Sequence, residues 1–132
     1  MLDQTRKDLS THRLKRAEEL INEAETLFDA KGYKGANNRA YYAVFYAMRA
    51  VLALDGEDFK RHSGVIQYFQ KNYIKTGIIE KKYSDIITRA STIRNASDYD
   101  DFYIASKEES RQQIDEAKDL LGAVKRYLSG IE

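Results

Sequence analysis

A guanidinium, an amide, a carboxylate and a phenol stand close together in one stretch of the sequence, at Arg94, Asn95, Asp98 and Tyr99. A fixed positive charge among hydrogen-bonding groups can hold a phosphodiester, with Arg94 contacting the phosphate and Tyr99 stacking or donating a hydrogen bond. The same residues can instead cap a helix, because arginine near a helix C-terminus and aspartate in the next turn are common there. The sequence leaves both interpretations open.

A second set of such side chains shares one face of a predicted helix, at Arg39, Tyr42, Tyr46 and Arg49. Phenols and guanidiniums on one face can bind phosphate or stack on bases. Alternatively, the tyrosines pack their rings while the arginines pair with acidic neighbours. Arg39 and Tyr42 are therefore candidate ligand-binding residues with a structural alternative.

The two histidines, His12 and His62, are far apart in the chain and do not have the spacing of a metal motif. His12 lies among basic residues and is expected to face solvent. His62 follows Lys60 and Arg61 at the predicted start of a helix, where it can face an anion or act as a structural hydrogen-bonding residue. We expect no metal site and no cofactor, and we keep His62 as a candidate binding residue.

The net charge of the 132-residue chain is only +1, but its charges are unevenly distributed. Residues 1–30 carry a net −2, residues 31–94 a net +7 and residues 95–132 a net −4. The basic middle can form a local anion-attracting surface on a nearly neutral protein. It can equally pair with the acidic helices at the two ends of the chain.

Apolar residues recur at helical spacing along most of the chain, and no stretch alternates as a strand does. An apolar stripe over residues 14–28 and further helices at about 36–54, 61–73, 79–96 and 106–128 are predicted. Gly32, Gly56 and Gly77 mark their ends, and Ser106 with Glu109 predicts a capping box. Short connections favour antiparallel neighbours. The sequence thus predicts one all-α domain over residues 1–132, a four- to five-helix up-and-down antiparallel bundle.

Two segments of this bundle stand out. Alanines on one face of the second helix predict a close approach by another helix, and they are Ala36, Ala40, Ala43, Ala47 and Ala50. The connection over residues 97–104 is acidic and aromatic, and loops of such length between helices often carry function.

The composition excludes several classes of protein. The absence of cysteine rules out a disulfide scaffold, a thiolate metal site and a cysteine nucleophile. No run approaches the ~18 apolar residues of a membrane span, and the N-terminus has no apolar signal region. We therefore expect a soluble, cytoplasmic protein that does not interact with membranes.

Three segments taken in order resemble the HEPN superfamily of small all-α domains: residues 31–47, residues 62–66 and residues 94–100. The resemblance covers about residues 12–128 and is closest to stand-alone members. It implies a helical bundle that forms a homodimer. It also implies a minimal nucleotidyltransferase partner, often within a toxin–antitoxin or RNA-processing module.

Many members of this superfamily are metal-independent ribonucleases that use an Arg, often followed by a polar residue, and a His after four to six further residues. Arg94 and Asn95 match the first two positions, whereas Tyr99 stands where a His is expected and no His follows. In members regulated by nucleotidyl transfer the acceptor Tyr lies two residues beyond the His. That position is Asp101 here, and Tyr103 is only a loose substitute.

We accordingly expect a non-catalytic or weakly catalytic HEPN-type domain that binds a nucleotide, RNA or a nucleotidyltransferase partner. The second hypothesis is a metal-independent RNA endonuclease that uses Arg94 with Tyr99 or His62. The third is a purely structural protein-interaction bundle, which is favoured if Asp98 or Asp100 of the same subunit occupies the Arg94 guanidinium.

Overall fold

Four long helices and one short helix make up the computed structural model, which describes residues 3–131. They are α1 (Gln4–Asp29), α2 (Tyr33–Leu54), α3 (His62–Phe69), α4 (Lys82–Tyr99) and α5 (Lys107–Gly130). A π-helical turn, Gln70–Ile74, continues α3. No strand occurs in the described part of the chain. The predicted all-α class is confirmed.

The first two helices run antiparallel, as contacts at both of their ends demonstrate. Ser10, near the start of α1, donates a 2.7 Å hydrogen bond to the carbonyl oxygen of Ala50 near the end of α2. Glu23 near the end of α1 accepts a 3.0 Å bond from Arg39 near the start of α2. The predicted alanine strip lies in this region and is buried, which permits the close approach of the two helices.

The remaining long helices continue the up-and-down order. Arg89 of α4 pairs with Glu116 of α5, and Arg126 further along α5 donates to the hydroxyl of Tyr83 at the start of α4. These two helices are therefore antiparallel. α2 is the most deeply buried helix and packs against each of the others.

Several helix boundaries differ from the sequence prediction. α2 begins at residue 33 rather than about 36, and α3 ends at residue 69 rather than 73, where the π-helical turn begins. Lys31, with φ of 65°, takes the left-handed conformation in the first turn, whereas Gly32 directly precedes α2. α4 begins three residues later than predicted and continues to Tyr99, so residues 97–99 are helical and the connection is limited to residues 100–106. The capping box is half formed. Ser106 caps α5 through the Glu109 amide, but the Glu109 carboxylate accepts from Tyr103 and Asn37 instead.

The segment that carries the chain from α2 to α3 is fixed by one carboxylate. Asp55 accepts hydrogen bonds from the hydroxyls of Tyr68 at 3.0 Å and Tyr73 at 2.5 Å. Because Asp55 follows the last turn of α2, these bonds hold the far end of α3 at the far end of α2. The start of α3 is thereby placed beside the middle of α2, where the candidate site lies.

Candidate functional site

The ring of Tyr41 on α2 brings together side chains from two other helices. The Nδ1 atom of His62, the first residue of α3, is joined to the Tyr41 hydroxyl by a hydrogen bond of 2.9 Å. From α4, the Cζ atom of Arg94 lies 5.2 Å from the centre of the same ring and 6.0 Å from that of Tyr42. Three candidates from the sequence, Tyr42, His62 and Arg94, therefore meet at one place.

An aromatic cage encloses the imidazole of His62. Its ring centre lies 4.2 Å from that of Phe45 and 5.7 Å from the rings of both Tyr41 and Tyr42. The ring is tilted against Phe45 and edge-on to Tyr42, so packing and the hydrogen bond to Tyr41 together fix its orientation. A histidine held this firmly presents its second ring nitrogen in a defined direction.

Burial and charge keep this histidine neutral. Burial lowers the pKa of His62 below its usual 6.5, and the positive charges of Arg94 and Arg49 lower it further. Burial raises the pKa of Tyr41 to about 12, although the neighbouring Arg94 opposes that rise. At pH 7 the pair consists of a neutral imidazole and a neutral phenol beside a fixed guanidinium.

Arg94 makes the intrahelical contact that the structural hypothesis anticipates. Its Nε atom lies 3.1 Å from Oδ2 of Asp98, one turn further along α4, but this contact lacks the alignment of a hydrogen bond. Both side chains retain solvent exposure, 23% for Arg94 and 37% for Asp98. A pair of this kind contributes about 0.3–0.5 kcal/mol, so an incoming phosphate can compete for the guanidinium.

An open groove of about 480 Å³ begins at this histidine and runs along α2. We call it the aromatic groove; its lining residues include Tyr42, Phe45, Tyr46, Arg49, Lys60 and His62. The Cζ atom of Arg49 lies 5.3 Å from the centre of the Tyr46 ring. Stacking rings and cations that alternate along one wall are the features with which proteins hold single-stranded nucleic acid.

The Asp58 carboxylate binds two arginines at the far end of the aromatic groove. Asp58 accepts a 2.9 Å hydrogen bond from Arg49 and a 3.0 Å bond from Arg13 of α1, whose side chain is almost entirely buried. Partial burial favours the protonated form of Asp58, but hydrogen bonds from Arg49 and the Phe59 amide, together with the charges of both arginines, hold its pKa below the usual range. Two guanidiniums on one carboxylate leave this end of the groove net positive.

The structure does not bring every sequence candidate to this place. Arg39 lies on α2 but is paired with Glu23 of α1 at 3.0 Å and with its neighbour Asn38, which is the structural alternative. Asn95 is exposed. Tyr99 is 80% exposed, and its hydroxyl makes no hydrogen bond within residues 3–131. Only packing between helices decides which of these residues meet.

Sequence reasoning missed three residues of this site. Tyr41 and Phe45 are buried core residues of α2, and they also form the cage around His62. Asp58 carried no signal beyond its place in a charged segment before α3.

The connection between α4 and α5 exposes apolar side chains close to the site. Phe102 is 91% exposed and Ile104 87% exposed, and Tyr99 precedes them at the end of α4. Tyr103 alone turns inward, where its hydroxyl contacts Asn37 and Glu109. The loop is thus anchored at one residue and presents two large apolar side chains to its surroundings.

A search of protein-family models matches residues 10–127 to the HEPN domain. Among curated proteins, the "Putative toxin MJ0605" of Methanocaldococcus jannaschii is 36% identical, over 87% of this chain and 85% of the relative. A second protein of that organism, "Putative toxin MJ0142", is 31% identical over 87% of this chain and 78% of its own length. The "UPF0332 protein" of Thermotoga maritima is 30% identical over 89% of both chains.

Proposed function

We propose a function from the premise that this chain belongs to the HEPN domain family. The chain is a toxin-like HEPN domain, and it binds RNA or a nucleotide through the aromatic groove. The observation that carries this proposal is the meeting of Arg94, His62 and Tyr42 around Tyr41. Arg94 contacts a phosphate, and the tyrosine rings of α2 stack on bases.

Electrostatics supports an anionic ligand at this place. Arg49, Lys60 and Arg94 lie in or beside the aromatic groove, against the carboxylates of Asp58 and Asp98. The local charge is positive although the whole chain is nearly neutral. A groove of one charge sign attracts an oppositely charged ligand and raises its rate of association.

The test is a titration of fluorescent single-stranded RNA and of ATP against wild type and two matched variants of α4. Arg94→Ala removes the proposed phosphate contact, whereas Arg89→Ala removes an arginine that pairs with Glu116 on α5. We expect Arg94→Ala to weaken binding at least about tenfold, a loss of ~1.4 kcal/mol, and Arg89→Ala to leave it within twofold.

Circular dichroism and a thermal melt establish that both variants are folded. Wild-type protein that binds neither RNA nor ATP refutes the proposal. So does equal binding by wild type and Arg94→Ala. Either result favours the purely structural hypothesis, in which the contact with Asp98 is the only role of Arg94.

A second candidate function is metal-independent cleavage of RNA, and the position of His62 favours it. A neutral imidazole beside Arg94 can take the proton from a ribose 2′-hydroxyl while the 2′-oxygen attacks the adjacent phosphorus. The bond to the 5′-oxygen then breaks and that oxygen takes the proton back from the imidazole, which leaves a 2′,3′-cyclic phosphate, a 5′-hydroxyl and a neutral His62. Arg94 stabilises the charge that develops on the phosphate. Tyr99 has no such place, because its exposed phenol is not held by any described residue.

Incubation of purified protein with total tRNA in EDTA tests this activity. Cleavage by wild type and by Tyr99→Phe, with loss in His62→Ala and Arg94→Ala, is the expected pattern. Loss of cleavage in Tyr99→Phe assigns the chemistry to Tyr99 instead. Intact tRNA with every protein leaves binding as the function of the groove.

A homodimer and a minimal nucleotidyltransferase partner complete the proposal, together with a cytoplasmic location where RNA is available. The exposed side chains of Tyr99, Phe102 and Ile104 support an interface near the site, because neighbouring large apolar residues on a loop commonly mark a protein contact. In the described part of the chain, no helix is long and apolar enough to span a membrane. Light scattering of wild type and Phe102→Asp tests the dimer, which the added charge is expected to dissociate.

A further inference from the structure

A second basic surface lies beside the end of α3 and the start of α4, away from His62 and Arg94. It is a concave region of about 730 Å³ between the π-helical turn and the start of α4. We call it the lysine trough; its polar lining consists of Gln67, Gln70, Lys71, Lys75, Lys81 and Ser84. The side chains of Ile66 and Ile74 form its apolar floor.

The lysines of this trough have no acidic partner among the described residues. Lys71, Lys75 and Lys81 are exposed, and none forms an ion pair within residues 3–131. The acidic residues of α1 do not neutralise them, because Glu18 and Glu25 pair with basic residues of α5. The basic middle of the chain therefore stays a charged surface here.

A stripe of hydroxyl and amide groups on α4 leads from the lysine trough towards the end of α4 that carries Arg94. Ser84, Thr88, Ser91 and Asn95 follow one another at intervals of three or four residues and therefore share one helix face. Ser84 lines the trough, and Asn95 is the neighbour of Arg94. None of the four side chains makes a hydrogen bond to another described residue, so their donors and acceptors are available to a ligand.

The directions of α3 and α4 put the lysine trough at the opposite end of these helices from His62 and Arg94. His62 at the start of α3 and Arg94 near the end of α4 both contact Tyr41. Lys71 and Lys75 follow α3, and Lys81 immediately precedes α4. At a rise of ~1.5 Å per residue, Lys81 and Arg94 are about 20 Å apart along α4.

We propose that the lysine trough is a second RNA subsite, continuous with the aromatic groove through the hydroxyl and amide stripe, and that the ligand is single-stranded RNA rather than a mononucleotide. This inference rests on the proposed function and specifies its ligand. At ~3.4 Å per stacked nucleotide, a length of about 20 Å corresponds to about six nucleotides. Lysines bind phosphates without reading sequence, while the rings of the groove stack on bases.

The test compares a fluorescent oligouridylate hexamer with a dinucleotide and with a 12-base-pair RNA duplex, by anisotropy at several salt concentrations. The trough variant is the triple substitution Lys71→Gln, Lys75→Gln and Lys81→Gln. Its matched control is Lys15→Gln, Lys34→Gln and Lys107→Gln, which removes the same charge from exposed positions on α1, α2 and α5.

We expect the trough variant to bind the hexamer at least about tenfold more weakly at 0.1 M salt. The slope of log affinity against log salt should fall by about 2, because each lost phosphate contact on a single strand contributes ~0.7. Dinucleotide affinity should change less than twofold, since the aromatic groove is intact. The control triple variant should bind the hexamer within about twofold of wild type.

Any of three outcomes overturns the inference but not the proposed function. In the first, wild type binds the dinucleotide as tightly as the hexamer. In the other two, both triple variants lose equal affinity for the hexamer, or wild type binds the duplex as tightly as the single strand. Failure of wild type to bind any of the RNAs or ATP, or insensitivity of dinucleotide binding to Arg94→Ala, refutes the proposed function itself.

Discussion

The substitution Asp58→Asn is expected to destabilise the fold and strengthen RNA binding at the same time. Asp58 accepts hydrogen bonds from Arg13 and Arg49 at the end of the aromatic groove. Asparagine keeps one side-chain oxygen but removes the negative charge. The buried Arg13 then loses its acidic partner, and Arg49 is released towards the ligand.

The expected loss of stability follows from these contacts. A hydrogen bond to a charged group contributes about 1.5–3 kcal/mol, and the 46% exposure of Asp58 reduces this through screening by water. The loss of one such bond therefore lowers the free energy of unfolding by about 1–2 kcal/mol. For a domain of this length that corresponds to a fall in Tm of about 4–8 °C.

The stability that the Asp58 carboxylate contributes depends on pH. Because the folded pKa of Asp58 lies below its unfolded value of about 3.9, its stabilisation is fully present above pH 4–5 and is lost as pH falls through the folded pKa. Wild type and Asp58→Asn should therefore differ in Tm at pH 7 and converge in acid. Asp119→Asn, an exposed position on α5 with no ion pair among the described residues, is the control.

RNA affinity should move in the opposite direction from stability. Removal of one negative charge near the ligand is worth up to ~1 kcal/mol at 4 Å in water, or about fivefold in affinity. Thermal melts at pH 7 and pH 3 and anisotropy with single-stranded RNA measure the two effects. Equal Tm values at pH 7, a difference that persists unchanged in acid, or weaker RNA binding by Asp58→Asn would each refute this account of the groove.

Three further substitutions test the segments that position the site. Tyr73→Phe should lower the free energy of unfolding, measured in urea, by about 1–2 kcal/mol, because it removes a buried donor to Asp55. Tyr68→Phe should lower the free energy of unfolding by less, because Tyr68 is more exposed. Gly64→Ala should destabilise the start of α3 and weaken RNA binding, because the new Cβ atom would lie 2.8 Å from Cβ of Phe59; unchanged melting and binding would contradict this packing.

The distribution of ion pairs explains why charge counting gave an ambiguous result. The sequence allowed the acidic ends to neutralise the basic middle. Arg39 and Arg89 of the middle do pair with Glu23 and Glu116 of the two ends. Glu18 and Glu25 of α1, however, pair with Lys125, Lys118 and Arg111 of α5, since these two helices lie side by side. Within residues 3–131, the lysines of the middle segment form no ion pair, and the sequence alone does not reveal this outcome.

The sequence by itself determined the helices, because apolar periodicity and glycine stop signals act over a few residues. Gly56 and Gly77 take positive φ values where the sequence ends its helices. Its HEPN resemblance over residues 12–128 is confirmed by the family match over residues 10–127. It also named Arg94, His62 and Tyr42 as candidates, on residue type alone.

Only the tertiary structure decided which candidates share a site. His62 and Arg94 are remote in sequence and meet because α3 and α4 both pack beside Tyr41. Arg39 is on the right helix but pairs with Glu23, since its position on α2 faces α1. The residue type alone determines the chemistry of a side chain. Its neighbours depend on helix packing, which results from many weak contacts across the whole chain.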